Sequence, residues 1–206
     1  MDNDDQKMPS KHTAPSELVR AVYFEHVDHF GEPDRSIRFG DGTIRDGEEH
    51  FPPIIDVMIW RPDDDVDIGT FATIGMSERP MSGADYRAEL HFAIRRKSFT
   101  EEEENRIARF LANLATYPFH YKTHLNWWHT LRDPGSIPLF SEGMSVLFHP
   151  RFVKDGWDTI THNDQTVKIL NVVPVTAEER SLKCESGMDA LFDHWAEINI
   201  DLFEAR

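Results

Sequence analysis

Residues 86–117 read YRAELHFAIRRKSFTEEEENRIARFLANLATY, and two different periods meet inside this stretch. Tyr86, Ala88, Leu90, Phe92 and Ile94 face one way, while Arg87, Glu89, His91 and Arg95 mark the other. That two-residue alternation predicts a half-buried antiparallel strand. A helix follows at once. Thr100 and Glu103 form a T-x-x-E capping box, and Glu101, Glu102 and Glu104 favour the positive end of the helix dipole. Ile107, Phe110, Leu111 and Leu114 make its buried stripe, and Tyr117-Pro118 is expected to end it, because proline disfavours helix in the residue before it.

Outward from this stretch the same signals recur. Upstream, Pro15 and Ser16 open a helix with Val19, Val22, Tyr23, Val27 and Phe30 at helical spacing, closed by Gly31. Ile37 to Phe39 suggests a short strand, Ile55, Val57 and Ile59 a second, and Thr70 to Met76 a third that breaks at Gly75. Downstream, Met144 to Phe148 and Val167 to Val173 read as strands, the latter apolar on both faces and therefore central. A second capping box, Thr176 with Glu179, starts a helical segment that pauses at Gly187. Strands come in groups and do not alternate strictly with helices. The expected class is α+β, a central mostly antiparallel or mixed sheet packed with helices. Residues 1–13 are polar and read as a flexible tail, leaving 14–206 as one domain.

Composition narrows the partners. Of 206 residues, 39% are hydrophobic and 11% aromatic, and a chain this long buries roughly 70% of its unfolded surface, so disorder throughout is excluded. Asp and Glu number 37 against 22 Lys and Arg, a formal charge of -15. Direct nucleic-acid binding needs clustered cations to displace counterions, so it is not expected, and neither is an anionic membrane surface. A protein partner with a basic surface is favoured, because it would be steered in over long range. The single cysteine, Cys184, permits no intrachain disulfide and no multi-cysteine zinc site. With no secretory signal at Met1 to Lys7 and no apolar run of ~20 residues, a cytoplasmic location is expected.

The residues that carry chemistry are few. His120, His124 and His129 have a spacing that offers metal nitrogens, yet no H-E-x-x-H accompanies them. Cys184 lies inside an amphipathic helix and reads as a packed thiol. Gly75-Met76-Ser77 lacks the second glycine of a nucleophile elbow, and Gly40-Asp41-Gly42 carries an acid that would repel phosphate. The run Asp63, Asp64, Asp65, Val66, Asp67 lacks the glycine and distal glutamate of a calcium loop, which leaves a solvated turn or a docking patch for a basic surface. Trp127-Trp128 reads as one core ring and one rim ring, or as an exposed anchor. The segment Gly75 to Met81, GMSERPM, is either a structural corner with buried methionines or a recognition loop. No catalytic residue, metal or cofactor is predicted.

Four blocks carry a resemblance: Gly75 to Met81 (GMSERPM), Ala88 to Phe92 (AELHF), Leu111 to Phe119 (LANLATYPF) and Leu170 to Glu179 (LNVVPVTAEE). In this order they resemble the Suppressor of fused domain family, in its bacterial single-domain branch. The resemblance implies an α+β fold with a central sheet, no established catalytic residues and a role in holding other proteins. The animal relatives restrain a transcription factor in Hedgehog signalling by gripping an extended peptide through strand addition. The bacterial relatives are associated with polymorphic toxin systems as immunity proteins. This chain ends at Arg206, so the animal protein's second domain is not expected in it. The expected function is therefore a non-enzymatic protein-binding module, an immunity protein neutralising a cognate toxin with a basic surface, a nuclease being one such type. A regulatory scaffold for an extended peptide, or a metal-dependent hydrolase built on the three histidines, are the alternatives. Carried over from the animal peptide site, Arg79, Met81, Asp85 and Tyr86 are the expected contacts, with Asp63, Asp64, Asp65 and Asp67 as an electrostatic supplement.

Overall fold

The computed structural model describes residues 14–44, 46–152 and 156–206; the expected tail, 1–13, lies outside the described residues. In chain order the elements are α1 (Glu17–Phe30), β1 (Arg35–Phe39), β2 (Ile55–Trp60), β3 (Ile68–Ile74), a 3-10 turn (Met76–Glu78), β4 (Arg87–Arg95), α2 (Glu101–His120), β5 (Thr130–Leu131), β6 (Ser145–His149), β7 (Thr159–His162), β8 (Gln165–Val175) and α3 (Ala177–Glu197). The strands form one mixed eight-stranded sheet in the order β1-β2-β3-β4-β8-β6-β5, and β7 also pairs with β8. The class is α+β.

The strand at 87–95 is not the half-buried antiparallel strand its alternation predicts. It pairs antiparallel with β3 but parallel with β8, so it lies inside the sheet. Its central polar positions are buried as deeply as the apolar ones beside them: Glu89 is 0% and His91 5% exposed. Each finds an internal hydrogen-bond partner, which is the condition for burying a polar group. The long strand β8 is central, as its apolar run predicts. With β4 on one edge, β6 and β7 share the other: β7 pairs with Gln165 to Lys168, and β6 with Asn171 to Val175.

One sheet face is closed by α2, whose Ile107, Leu111 and Leu114 pack on Val57, Phe71, Leu90 and Phe92. The capping box at Thr100 and Glu103 forms. The helix runs on through Pro118 to His120 instead of stopping before it. Proline forfeits one helical hydrogen bond, but Pro118 and Phe119 are buried, and packing against the sheet offsets that loss. Glu104 does more than favour the helix dipole. It is fully buried and accepts from Arg61 Nε at 2.6 Å and Arg35 Nη1 at 2.8 Å, tying α2 to β1 and to the end of β2.

The opposite face is covered in two places. Leu18, Val19 and Val22 of α1 lie over Met58, Ala72, Ile74 and Ile169, and Leu191 and Trp195 of α3 lie over Leu147, Val173 and Val175. The helix α3 bends at Gly187, whose φ of 91° and ψ of 178° are accessible in practice only to glycine. A straight helix would set Glu179 and Trp195 about 24 Å apart, yet Trp195 Nε1 donates to Glu179 Oε1 at 2.8 Å. The bend therefore folds α3 back on itself. Cys184, expected as a packed thiol, is exposed on its first half.

The segment Gly75 to Met81 resolves as a structural corner. Met76 and Met81 are 1% and 3% exposed. Glu89 organises the turn by accepting from Thr73 Oγ1 at 2.7 Å, Gly75 N at 2.9 Å, Ser77 N at 3.0 Å and Ser77 Oγ at 2.7 Å. Gly75 has φ 114°, and a Cβ there would meet the Ile54 carbonyl oxygen at 2.5 Å.

Candidate functional site

Between α1 and the folded-back α3, a strip of the sheet remains uncovered, and a cleft of about 660 Å³ opens over it. Its floor is built from Thr70 on β3, His91 and Ala93 on β4 and Asn171 on β8. Thr70 is paired with Ala93, and His91 with Asn171, in the strand register. The walls are aromatic. Phe30 ends α1, Trp60 ends β2, and Phe152 and Trp157 lie in the β6–β7 connection. Trp60 is held in place by donating its Nε1 to the Gly31 carbonyl at 2.9 Å. Trp157 lies 4.9 Å from the His26 ring and 4.5 Å from the His29 ring.

Hydrogen bonding fixes the protonation of the floor. His26 Nδ1 is 2.7 Å from the Val22 carbonyl, which can only accept, so this nitrogen carries the proton. In the neutral ring His26 Nε2 is then an acceptor, and His91 Nε2, 2.8 Å away, donates to it. Burial holds His26 down to about 4, and it holds His91 well below the usual histidine range, so the pair is neutral. His91 Nδ1 is left as a lone-pair acceptor. Asn171 gives both amide protons to the carbonyls of His149 and Pro150, at 3.2 and 2.8 Å, which leaves its Oδ1 as a second acceptor.

The mouth carries charge. Asp63 and Val66 of the β2–β3 turn line the cleft together with Asp34 and Arg61. Asp63 Oδ1 accepts from the backbone N–H groups of Asp65 and Val66 at 2.9 and 2.7 Å, which makes the acidic run a defined turn with exposed side chains. Asp67 pairs with Arg95, which also binds Asp201 Oδ2 at 2.5 Å.

The residues expected as partner contacts fall into two groups. Asp63 to Asp67 stand at the β2–β3 end of the sheet beside the cleft, whereas Arg79 to Tyr86 lie in the β3–β4 connection, at the other end of β3 and roughly 20 Å away for a strand of this length. Met81 is withdrawn from any surface: it is buried in the core, with its sulfur beside the Leu125 N–H at 3.5 Å. Arg79 Nε donates to the Phe51 carbonyl at 3.3 Å, Asp85 is exposed, and the Tyr86 hydroxyl donates to the Leu125 carbonyl at 3.0 Å. Lys168 Nζ lies 3.9 Å from the Tyr86 ring centroid and 4.4 Å from that of Trp127. Trp127 packs on the core, while Trp128 meets His149 and Phe192 nearer the surface. His120 rests on Phe51 with ring centroids 4.6 Å apart, and the His124 and His129 centroids are 5.4 Å apart. No group of three or more His, Cys, Asp or Glu placed to hold a metal occurs among the described residues. No helix among them is long and apolar enough to cross a membrane.

The family model described as Suppressor of fused protein (SUFU) matches residues 52–206, three quarters of the chain. The chain belongs to the Suppressor of fused family. Among solved structures, a Suppressor of fused homologue from Neisseria gonorrhoeae superposes with TM-score 0.60 at 18% identity, over 89% of this chain and 91% of that one. A chain of the Sufu–Fu complex gives TM-score 0.55 at 14% identity, covering 90% of this chain and 83% of that one. Drosophila Suppressor of Fused gives TM-score 0.56 at 16% identity, and the match covers 90% of this chain but 46% of the fly chain. No functionally curated protein matches the sequence. At these identities the neighbours share the Suppressor of fused fold. The family's GMS-x-x-PM block is the Glu89-centred corner, so it marks how the domain folds.

Sequence reading missed the cleft. Its signal was two polar residues, His91 and Asn171, inside otherwise apolar strands and opposite one another in register. The pairing of β4 with β8 was not legible before the fold was known.

Proposed function

We propose that this Suppressor of fused domain is a non-enzymatic protein-binding module whose partner presents a basic surface. The observation that carries this reading is the aromatic-walled cleft with an exposed acidic turn at its mouth, on a chain of formal charge -15. The buried carboxylates support it, because each is committed to structure. Glu89 closes the corner, Glu104 binds Arg35 and Arg61, and Glu179 binds Arg206 and Trp195. The finer reading is an immunity protein that occludes a cognate basic toxin, a nuclease being the type whose own ligand is polyanionic. Acidic side chains would speed that association. Co-expression with the product of the neighbouring gene is expected to rescue cells that this product kills. Continued killing, with both proteins present and folded, would remove the immunity reading.

A regulatory scaffold remains the second reading. A homologous fold is found in the Sufu–Fu complex, and among the described residues β1 has an outward edge with no neighbouring strand in the sheet order. Pull-down followed by mapping to a short linear segment would favour the scaffold over toxin binding.

A further inference from the structure

We infer that the cleft is a receptor for a guanidinium group, the side chain of an arginine offered by the partner. This deepens the protein-binding reading and rests on it for the source of the arginine.

The floor carries the argument. His91 and Asn171 are 5% and 8% exposed, and both line the cleft. His91 Nδ1 and Asn171 Oδ1 have no hydrogen-bond partner among the described residues, yet Arg180 Nε is the buried side-chain atom left unsatisfied there. Both floor acceptors are therefore open to the cleft space. Two acceptors side by side on neighbouring strands ask for a ligand rich in N–H donors. A carboxylate or phosphate would meet only lone pairs.

The walls and the mouth select a planar cation. Trp60, Phe30 and Trp157 present ring surface above the acceptors, and aromatic faces attract guanidinium more readily than they attract a strongly hydrated ammonium. The domain already places one of its own cations in this way, with Lys168 against Tyr86 and Trp127. Two arginines also line the mouth, but each is neutralised: Arg61 holds both Glu104 oxygens at 2.6 and 3.0 Å, and Arg151 pairs with Asp158 at 3.2 Å. Asp34 and Asp63 then leave the entrance favourable to an incoming positive charge.

The test uses a probe that does not depend on the partner. Nα-acetyl-arginine N-methylamide is titrated into the full chain while the indole N–H signals of Trp60 and Trp157 are followed by NMR. The expected result is saturable shifts of both at millimolar concentration. The neutral isostere, acetyl-citrulline N-methylamide, should bind about tenfold more weakly, as should the lysine analogue. Thr70→Leu, which adds bulk to the floor beside Ala93, should abolish the shifts with the melting temperature nearly unchanged. Absence of shifts, shifts confined to other parts of the protein, or equal binding of citrulline or lysine would each overturn the assignment. Failure of toxin rescue with intact arginine binding would remove the immunity reading and leave the cleft as assigned.

Discussion

The two connections at the ends of β3 have opposite characters. At one end, Gly75 to Met81 folds inward: two methionines enter the core, and four donors converge on one buried carboxylate. At the other, Asp63 to Asp67 turns outward, satisfies its own backbone through Asp63, and exposes its carboxylates beside a cleft, Asp67 paired with Arg95. The segment most distinctive in sequence thus spends its two methionines on the core. Motif strength and surface function are separate properties of this domain.

The largest expected effect comes from the inward connection. Glu89→Ala leaves Thr73, Gly75 and Ser77 donors unpaired in a dry site and should cost about 3 kcal/mol or more, read as a lower urea midpoint or loss of soluble protein. Gly75→Ala forces a Cβ against the Ile54 carbonyl at positive φ and should cost about 2 kcal/mol, lowering the melting temperature by about 4–8 °C. A result near zero for either would mean that the corner is not a rigid element.

Acid should separate two buried glutamates by smaller amounts. Glu104 is held below the usual carboxylate range by its hydrogen bond from Arg61 and further by Arg35, against the opposing pull of burial. Its stabilisation is present above that range and is lost as pH falls through its depressed folded value. Burial raises Glu89 despite its donors, so its titration has the other sign: that contribution is present at low pH and is lost as pH rises through the raised value. Between pH 7 and pH 3, Glu104→Gln should lose less stability than the parent. The deficit of Glu89→Gln relative to the parent should shrink as pH rises. Denaturant melts across that range check both signs.

The outward connection should give the smallest stability change. Asp63→Asn, Asp64→Asn and Asp65→Asn together keep the Asp63 Oδ1 acceptor position and should alter stability by no more than about 0.5 kcal/mol. The same protein should associate with a basic partner about tenfold more slowly at low salt and with a weaker salt dependence, measured by stopped flow. An unchanged rate would place the partner elsewhere.

Much of the scaffold could be read in advance because local signals and burial agreed. Both capping boxes form, β8 is central, and α3 breaks where Gly187 stands. The failures share one cause, contacts far apart in sequence. The polar face of β4 looked solvated because its partners, Ser77 for Glu89 and His26 for His91, come from other elements. Pro118 looked like a helix stop because the packing that compensates for it is tertiary. Cys184 looked packed because the bend at Gly187 decides which face of α3 meets the sheet. The cleft could not be read for the same reason. It is a gap between two helices 146 residues apart, from Phe30 to Thr176, over strands paired across 80 residues, as Asn171 with His91.

The folded-back α3 has a consequence for the order in which the molecule opens. Each half is too short to hold helical structure in water by itself, and their mutual latch, Trp195 on Glu179, also needs Arg206 and the β8 carbonyl of Pro174 to be in place. The arm therefore depends on the sheet beneath it, and amide exchange is expected to show it opening before the sheet does.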